Sequence, residues 1–350
     1  MNSKERVLMA IEHREPDRVP VNATFTPEIR ALLKQRFGEC EDIGERLGND
    51  LIITACGRGF ETSYYRDGDE YMCEYGITWQ RVPYSGGAYT EMVGYPLSGD
   101  KSALAGWNCP DPFEPSQYDD LRRRIELFGA EKWMVGGVAC TLFETAWALR
   151  GLDQLLVDML EDEDYVNELL EKVMIHPLHA GIEGAKLGLD MLWMGDDVAM
   201  QTGMLMSRSL FEKYLKPRFA AMIQAYREAK PEIKIAYHSC GNAMAILGDL
   251  IEIGVDVYHS IQPLAIDPIE VKRRYGDNLA LWGGFDIQQI MPRGTLPQIR
   301  AEVKRLIDGC AGDGGFILSP AHHIQPDTPI ENLLAFYEAA KEYGSYRAPA

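Results

Sequence analysis

The fold class this chain predicts is α/β, a single (β/α)8 barrel, and three observations predict it. Apolar, β-branched runs alternate with amphipathic helical patterns along most of the sequence, the pattern of parallel βα units. The runs number eight, at 18–25, 50–56, 133–139, 190–195, 232–238, 254–260, 278–284 and 314–319. A length of 350 residues accommodates one barrel-sized domain as readily as two ordinary ones.

The elements follow in order. Ser3-Lys4-Glu5-Arg6 leads into an amphipathic helix rather than the apolar core of a signal segment. The first run ends in Ala23-Thr24-Phe25-Thr26-Pro27-Glu28, without the Gly-rich phosphate turn of a doubly wound sheet, and a helix follows near 27–37. After the second run, segment 63–109 breaks the repeat. It is rich in Tyr, Gly and Pro, carries strand-like pieces at Tyr71–Gln80 and Ala88–Val93, and reads as a β-hairpin insertion after strand two that covers part of the barrel mouth. Helical patterns near 116–129, 152–188, 208–229, 243–253, 268–275 and 296–310 separate the remaining runs, and one near 328–343 follows the last. No low-complexity linker interrupts them, so 1–350 is read as one domain.

Composition narrows the function. Hydrophobic residues make up 46% and the formal net charge is −18, which argues against nucleic acid and for a small molecule or a protein as partner. No apolar run approaches the length of a membrane span, and a cytoplasmic location is expected. The 7 cysteines, odd in number and irregularly spaced, fit reduced thiols better than a disulfide framework.

In a barrel, the residues just past each strand face one another and assemble the site. Here they include Thr24 and Phe25, Cys56, Cys140, Asp196 and Asp197, His238 and Cys240, His259 and Gln262, Gly283, Gly284 and Asp286, and Ser319 with His322. The centre of the set is Tyr237-His238-Ser239-Cys240-Gly241, an imidazole and a thiol two residues apart at the end of a β-prone run, a ligand pair suited to Zn²⁺. Plainer readings stand beside these. Asp196 and Asp197 are caps or catalytic acids. His259 is a hydrogen-bonded wall residue or part of the site, and His322-His323 is an exposed loop pair or a ligand position. Trp133, Trp147 and Trp193 are expected in the core.

The chain resembles the uroporphyrinogen decarboxylase superfamily, and within it the branch of corrinoid-dependent methyltransferases. The resemblance rests on Glu5-Arg6-Val7 through His13-Arg14-Glu15-Pro16-Asp17-Arg18-Val19-Pro20, on Phe143-Glu144-Thr145-Ala146-Trp147-Ala148-Leu149-Arg150-Gly151, on Gly195-Asp196-Asp197, on His238-Ser239-Cys240-Gly241, on Trp282-Gly283-Gly284-Phe285-Asp286 and on Ile317-Leu318-Ser319-Pro320-Ala321-His322. It implies the same barrel. It also implies zinc held by His238, Cys240 and a third ligand near the C-terminus, where His322 stands in place of the Cys of the zinc-bearing methyltransferases. The decarboxylases carry an arginine signature at the first turn that binds substrate carboxylates; here that stretch reads Val21-Asn22-Ala23-Thr24-Phe25-Thr26-Pro27-Glu28, without the basic clamp.

The expected activity is therefore zinc-dependent methyl transfer between a small methylated compound, an O-methyl ether in the leading version, and a corrinoid on a partner protein. Asp196 or Asp197 serves as proton donor or additional ligand. Thr24, Phe25, Tyr64, Tyr65, Tyr71, His259, Gln262 and Asp286 shape the substrate pocket. The reverse half-reaction, with zinc activating an acceptor thiol, belongs to the same class. The alternatives are metal-free decarboxylation of uroporphyrinogen or another tetrapyrrole, and a non-catalytic barrel that binds a tetrapyrrole or corrinoid.

Overall fold

The computed structural model describes residues 1–60, 66, 68–84 and 87–346. Among them the strands are β1 (Leu51–Ala55), β2 (Glu70–Met72), β3 (Thr78–Tyr84), β4 (Gly87–Gly94), β5 (Trp133–Gly137), β6 (Met191–Gly195), β7 (Ala199–Met200), β8 (Gly203–Met204), β9 (Lys234–His238), β10 (Val257–Ile261), β11 (Ala280–Phe285) and β12 (Phe316–Pro320). Seven of these form one parallel sheet in the order β1-β5-β6-β9-β10-β11-β12. Each neighbour along the sheet is the next barrel strand in the chain, joined to it through helices, as right-handed βα crossovers require. The curled sheet is consistent with a TIM-like barrel.

Successive side chains of a strand point to opposite faces, so the sheet buries two apolar sets. Leu51, Trp133, Met191, Ala236, Val257 and Trp282 belong to an inner cluster that Val7 and Ile11 join from the helix Ser3–Ile11. Their neighbours Ile52, Met134, Leu192, Tyr237, Tyr258 and Leu281 belong to the larger outer core. The first helix meets the opening residues of the strands, so the N-terminal end is plugged and the chemistry is left to the other end. The Glu5–Pro20 motif supports that plug. Arg6 bonds Asp17 at 2.7 Å and the buried Asp50 at 2.8 Å, and Arg18 bonds the second Asp50 oxygen at 2.8 Å. Asp50 immediately precedes β1, and its network ties the plug to the sheet.

Three expectations are corrected. The run 18–25 is not a regular strand. It is extended chain that bonds β12 and the residue preceding β1: Asn22 N–H to Leu318 O, Leu318 N–H to Pro20 O, and Asp50 N–H to Val21 O. Side chains replace the missing ladder, since Val21 N–H donates to Asp50 Oδ2 and Ala23 N–H to Asn49 Oδ1, while Pro20 has no N–H to offer. The hairpin is a three-stranded antiparallel sheet, β2-β3-β4. A turn splits its first expected piece, closed by Gly76 N–H on Cys73 O and Cys73 N–H on Ile77 O, with Gly76 at φ +81° supplying the left-handed residue. The helix expected over 152–188 is two, Leu152–Glu161 and Glu163–Leu187, because Asp162 caps the second through Tyr165 N–H.

Among the described residues, no helix is long and apolar enough to cross a membrane.

Candidate metal centre

Period-two alternation carries Ala236 and His238 to the inner face of β9 and Val257 and His259 to that of β10, while Tyr237 and Tyr258 lie in the outer core. The register pairs His238 with Gly195 on one side and His259 on the other. Gly195 has φ +122°, and a Cβ there would sit 2.3 Å from His238 O, so only glycine lets β6 approach this closely. The following turn is pinned from its neighbours. Cys240 N–H donates to Asp197 Oδ1 at 2.7 Å and Gly241 N–H to Gln262 Oε1 at 2.8 Å.

The result is a compact cluster. His238 Nε2 lies 3.6 Å from Cys240 Sγ and 3.3 Å from Asp197 Oδ1. His238 Nδ1 lies 2.7 Å from His259 Nδ1. The ligand atoms of His238, Cys240 and His322 all fall within 4.8 Å of one another. His238 and His259 are buried, and Cys240 and His322 are half-buried. The segment containing Thr24 and Phe25 holds the His322 loop in place: Ile324 N–H donates to Thr24 O and Thr26 N–H to Ile324 O, with the buried Phe25 bridging Ile324.

Charge follows from this packing. Burial raises the Cys240 thiol, but the His238 imidazolium and hydrogen bonds from His238 and His322 outweigh it and bring the thiol down to about 7. Burial disfavours a charged His238, yet the adjacent Cys240 thiolate and the Asp197 hydrogen bond raise it well above the ordinary imidazole value. For His259, burial and repulsion from His238, His322 and His323 act together and hold the ring neutral. Asp197 is held below the usual carboxylate range, its burial overcome by the His238 hydrogen bond and charge.

The two expected acids occupy different roles. Asp196 is fully buried and accepts Leu142 and Glu144 N–H at 3.0 Å, at the start of the helix Phe143–Arg150. Asp197, partly exposed, faces the histidines. Behind it stands Glu144, whose Oε2 accepts Asp197 N–H at 3.0 Å. Burial and then the charges of Asp197 and Asp196 push Glu144 well above the usual carboxylate range. The sequence marks Glu144 only as a Glu in the first turn of an apolar helix after a strand end, a signal that carries no role by itself.

Of the remaining expected residues, Asp286 caps the turn after β11, accepting Gln288 and Gln289 N–H at 2.7 and 3.1 Å. Tyr71 stacks on Trp79 within the antiparallel sheet, ring centroids 6.4 Å apart. Tyr64 and Tyr65 lie outside the described residues. Trp193 does belong to the inner core, but it is only half-buried, as is Ile53, and Ala55 is exposed at the end of β1. The Trp193 ring meets His238 and His259 edge-on at 5.5 and 5.1 Å. Trp193 thus gives the cluster an apolar wall on this side.

The family profile for uroporphyrinogen decarboxylase (URO-D) matches residues 101–343, over two thirds of the chain. A methylcobamide:CoM methyltransferase, MtaA, from Methanosarcina barkeri is 30% identical over 156 residues, 45% of this chain and 42% of that protein. A methylated-thiol–coenzyme M methyltransferase from Methanosarcina mazei is 23% identical over 269 residues, 75% of this chain and 65% of its own length. The chain thus spans less than half of the first relative. A solved structure of a methyltransferase from Methanosarcina mazei superposes with a TM-score of 0.71 at 21% identity, covering 98% of this chain and 99% of that one, and shares the fold.

Proposed function

The chain belongs to the uroporphyrinogen decarboxylase family, and from that premise we propose that it is a zinc-dependent methyltransferase, moving a methyl group between a small compound of the O-methyl ether class and a corrinoid carried by a partner protein. The observation that carries the reading is the His238, Cys240 and His322 triangle. Tetrahedral zinc with arms of about 2.05 Å to nitrogen and about 2.3 Å to sulfur sets those ligand atoms about 3.6 Å apart. His238 Nε2 and Cys240 Sγ stand at 3.6 Å. Two imidazoles and one thiolate are an ordinary zinc donor set, and three protein ligands leave a position open for substrate. The relatives named as methylcobamide and methylated-thiol methyltransferases support the corrinoid and methyl parts.

Bound there, zinc supplies Lewis acidity toward an ether oxygen, or toward a thiol when transfer runs the other way. The protein's own groups do the rest. A thiol brought to about 7 offers Cys240 as thiolate near neutral pH. Asp197, ionised and partly exposed, can take a proton from an acceptor thiol or hydroxyl, while protonation of a departing oxygen draws on the neutral Glu144 behind it. Two carboxyls with environments that push them apart are the usual arrangement for acid and base roles. Trp193 shields the histidines from water on one side. We read 18–25 as the eighth stave of the barrel and the antiparallel sheet as part of its rim, because Tyr84 and Tyr89 share a groove with Thr26, Glu28 and Gln325, next to the His322 loop. That groove is our site for the corrinoid partner.

The decarboxylase reading has the family profile in its favour and the absent arginine clamp at 21–28 against it. One set of assays separates them. Purified protein is expected to hold about one zinc by elemental analysis, to transfer methyl from an O-methylated donor to Co(I) cobalamin as followed by cobalt absorbance, and to lose most of its zinc as Cys240→Ala. Full activity without metal, or efficient conversion of uroporphyrinogen to coproporphyrinogen, would overturn the methyltransferase reading.

A further inference from the structure

Two buried imidazole nitrogens 2.7 Å apart share one proton, since two N–H groups would collide and two lone pairs would repel. The partners of the other His238 nitrogen decide who owns it. His238 Nε2 faces Asp197 Oδ1 at 3.3 Å and Cys240 Sγ at 3.6 Å, both anionic groups that demand a proton or a metal ion at Nε2. With a metal at Nε2, the neutral His238 ring must carry its hydrogen on Nδ1, so His238 Nδ1–H donates and His259 Nδ1 accepts. His259 then carries its own hydrogen on Nε2.

We propose that His259 is a positioning residue for metal binding: by accepting from His238 Nδ1 it fixes the tautomer and ring plane that aim the His238 Nε2 lone pair at the metal. This rests on the zinc reading of His238, Cys240 and His322. This role uses only the Nδ1 of His259 and stands beside the pocket role expected for it. Its own ring is fixed in turn, with Trp282 and Trp193 at 4.4 and 5.1 Å. Ligand histidines ordinarily donate to a carboxylate, a carbonyl or water. A neutral imidazole acceptor orients the ring while feeding less negative charge into it than a carboxylate would, which leaves the metal the stronger Lewis acid.

The test compares wild type, His259→Asn and His259→Phe. The Asn side chain places its amide oxygen near the lost Nδ1 and can still accept, whereas Phe fills the space between the tryptophans and cannot. Zinc affinity is measured by competition with a chromophoric chelator, the visible spectrum of the Co²⁺-substituted protein reports ligand geometry, and thermal unfolding of the metal-free protein reports packing. His259→Phe should bind zinc roughly 10–100-fold more weakly, the usual cost of losing such a partner, with an altered Co²⁺ spectrum, while His259→Asn stays near wild type in both. A residue that only fills space predicts the reverse order, Asn being the smaller side chain, and that result overturns the proposal, as does equal affinity in all three. Wild-type protein that binds no zinc at all would instead sink the zinc reading.

Discussion

Replacing Gly195 by alanine tests whether the close approach of β6 and β9 is what sets His238. The added Cβ would lie 2.3 Å from the carbonyl oxygen and 2.7 Å from the nitrogen of His238, against ordinary contact at 3.4 Å and beyond. The neighbours are backbone on both counts, so no side chain can swing aside, and the strands must part by about 1 Å, 3.4 less 2.3. A non-glycine residue at φ +122° costs about 1–3 kcal/mol of strain. Overpacking a close-set interior adds about 1–3 kcal/mol. The sum is a loss of about 2–6 kcal/mol, read as a lower urea midpoint with unchanged slope. A metal site tolerates ligand displacements of about 0.2 Å, so a shift of about five times that should also weaken zinc at least about 10-fold by chelator competition. Gly248→Ala is the control, on the helix Leu247–Glu252 with nothing within 4 Å of its added Cβ; it should be neutral or stabilising by up to about 1 kcal/mol. A Gly195→Ala protein that matches the control in both stability and zinc affinity would refute the reasoning.

Two other outcomes are expected. Burial pushes the His176 imidazole down to about 4 and leaves its Nε2 without a partner; between about pH 4 and 6.5 the unfolded chain binds the proton and the folded one does not, so stability falls with acid across that window by up to about 3 kcal/mol, and His176→Leu should flatten that part of the urea-midpoint profile. An unchanged slope would show that His176 is not buried neutral. Tyr84→Ser with Tyr89→Ser, both side chains 44% exposed, should raise KM for the carrier-bound corrinoid several-fold while leaving zinc content and transfer to free cobalamin as they were; equal kinetics with the carrier would place the partner elsewhere.

How much of this was readable in advance differs by element, for physical reasons. Runs such as Ile233–His238 and Leu279–Phe285 announce themselves because a strand flanked by helices is apolar on both faces, a local property of composition. The His238-Ser239-Cys240 pair was equally legible, since two ligands two residues apart at a strand end meet whatever the rest of the chain does. His322 entered only through the barrel and the family likeness. The stretch 18–25 looked like a strand because its residues are β-prone, and nothing local reveals that Asp50 and Asn49 side chains would replace its ladder. The insertion's first strand divided at Gly76 for a similar reason, a turn settled by one left-handed residue inside an otherwise extended pattern.

The chain alone determined the alternation of strands and helices, and with it which residues lie at strand ends and which alternate inward. Tertiary structure decided how those ends divide their work. Asp196 and Asp197 are neighbours in sequence, yet one is spent on the amides of Leu142 and Glu144 and the other faces His238. His259 and Glu144 acquire their importance only from His238 and Asp197, 21 and 53 positions away. Hydrogen-bond donors and acceptors have no preferred partner until the backbone brings them within about 3 Å, and burial, which weighs on every charge in this cluster, is a property of the assembled fold and of no single segment.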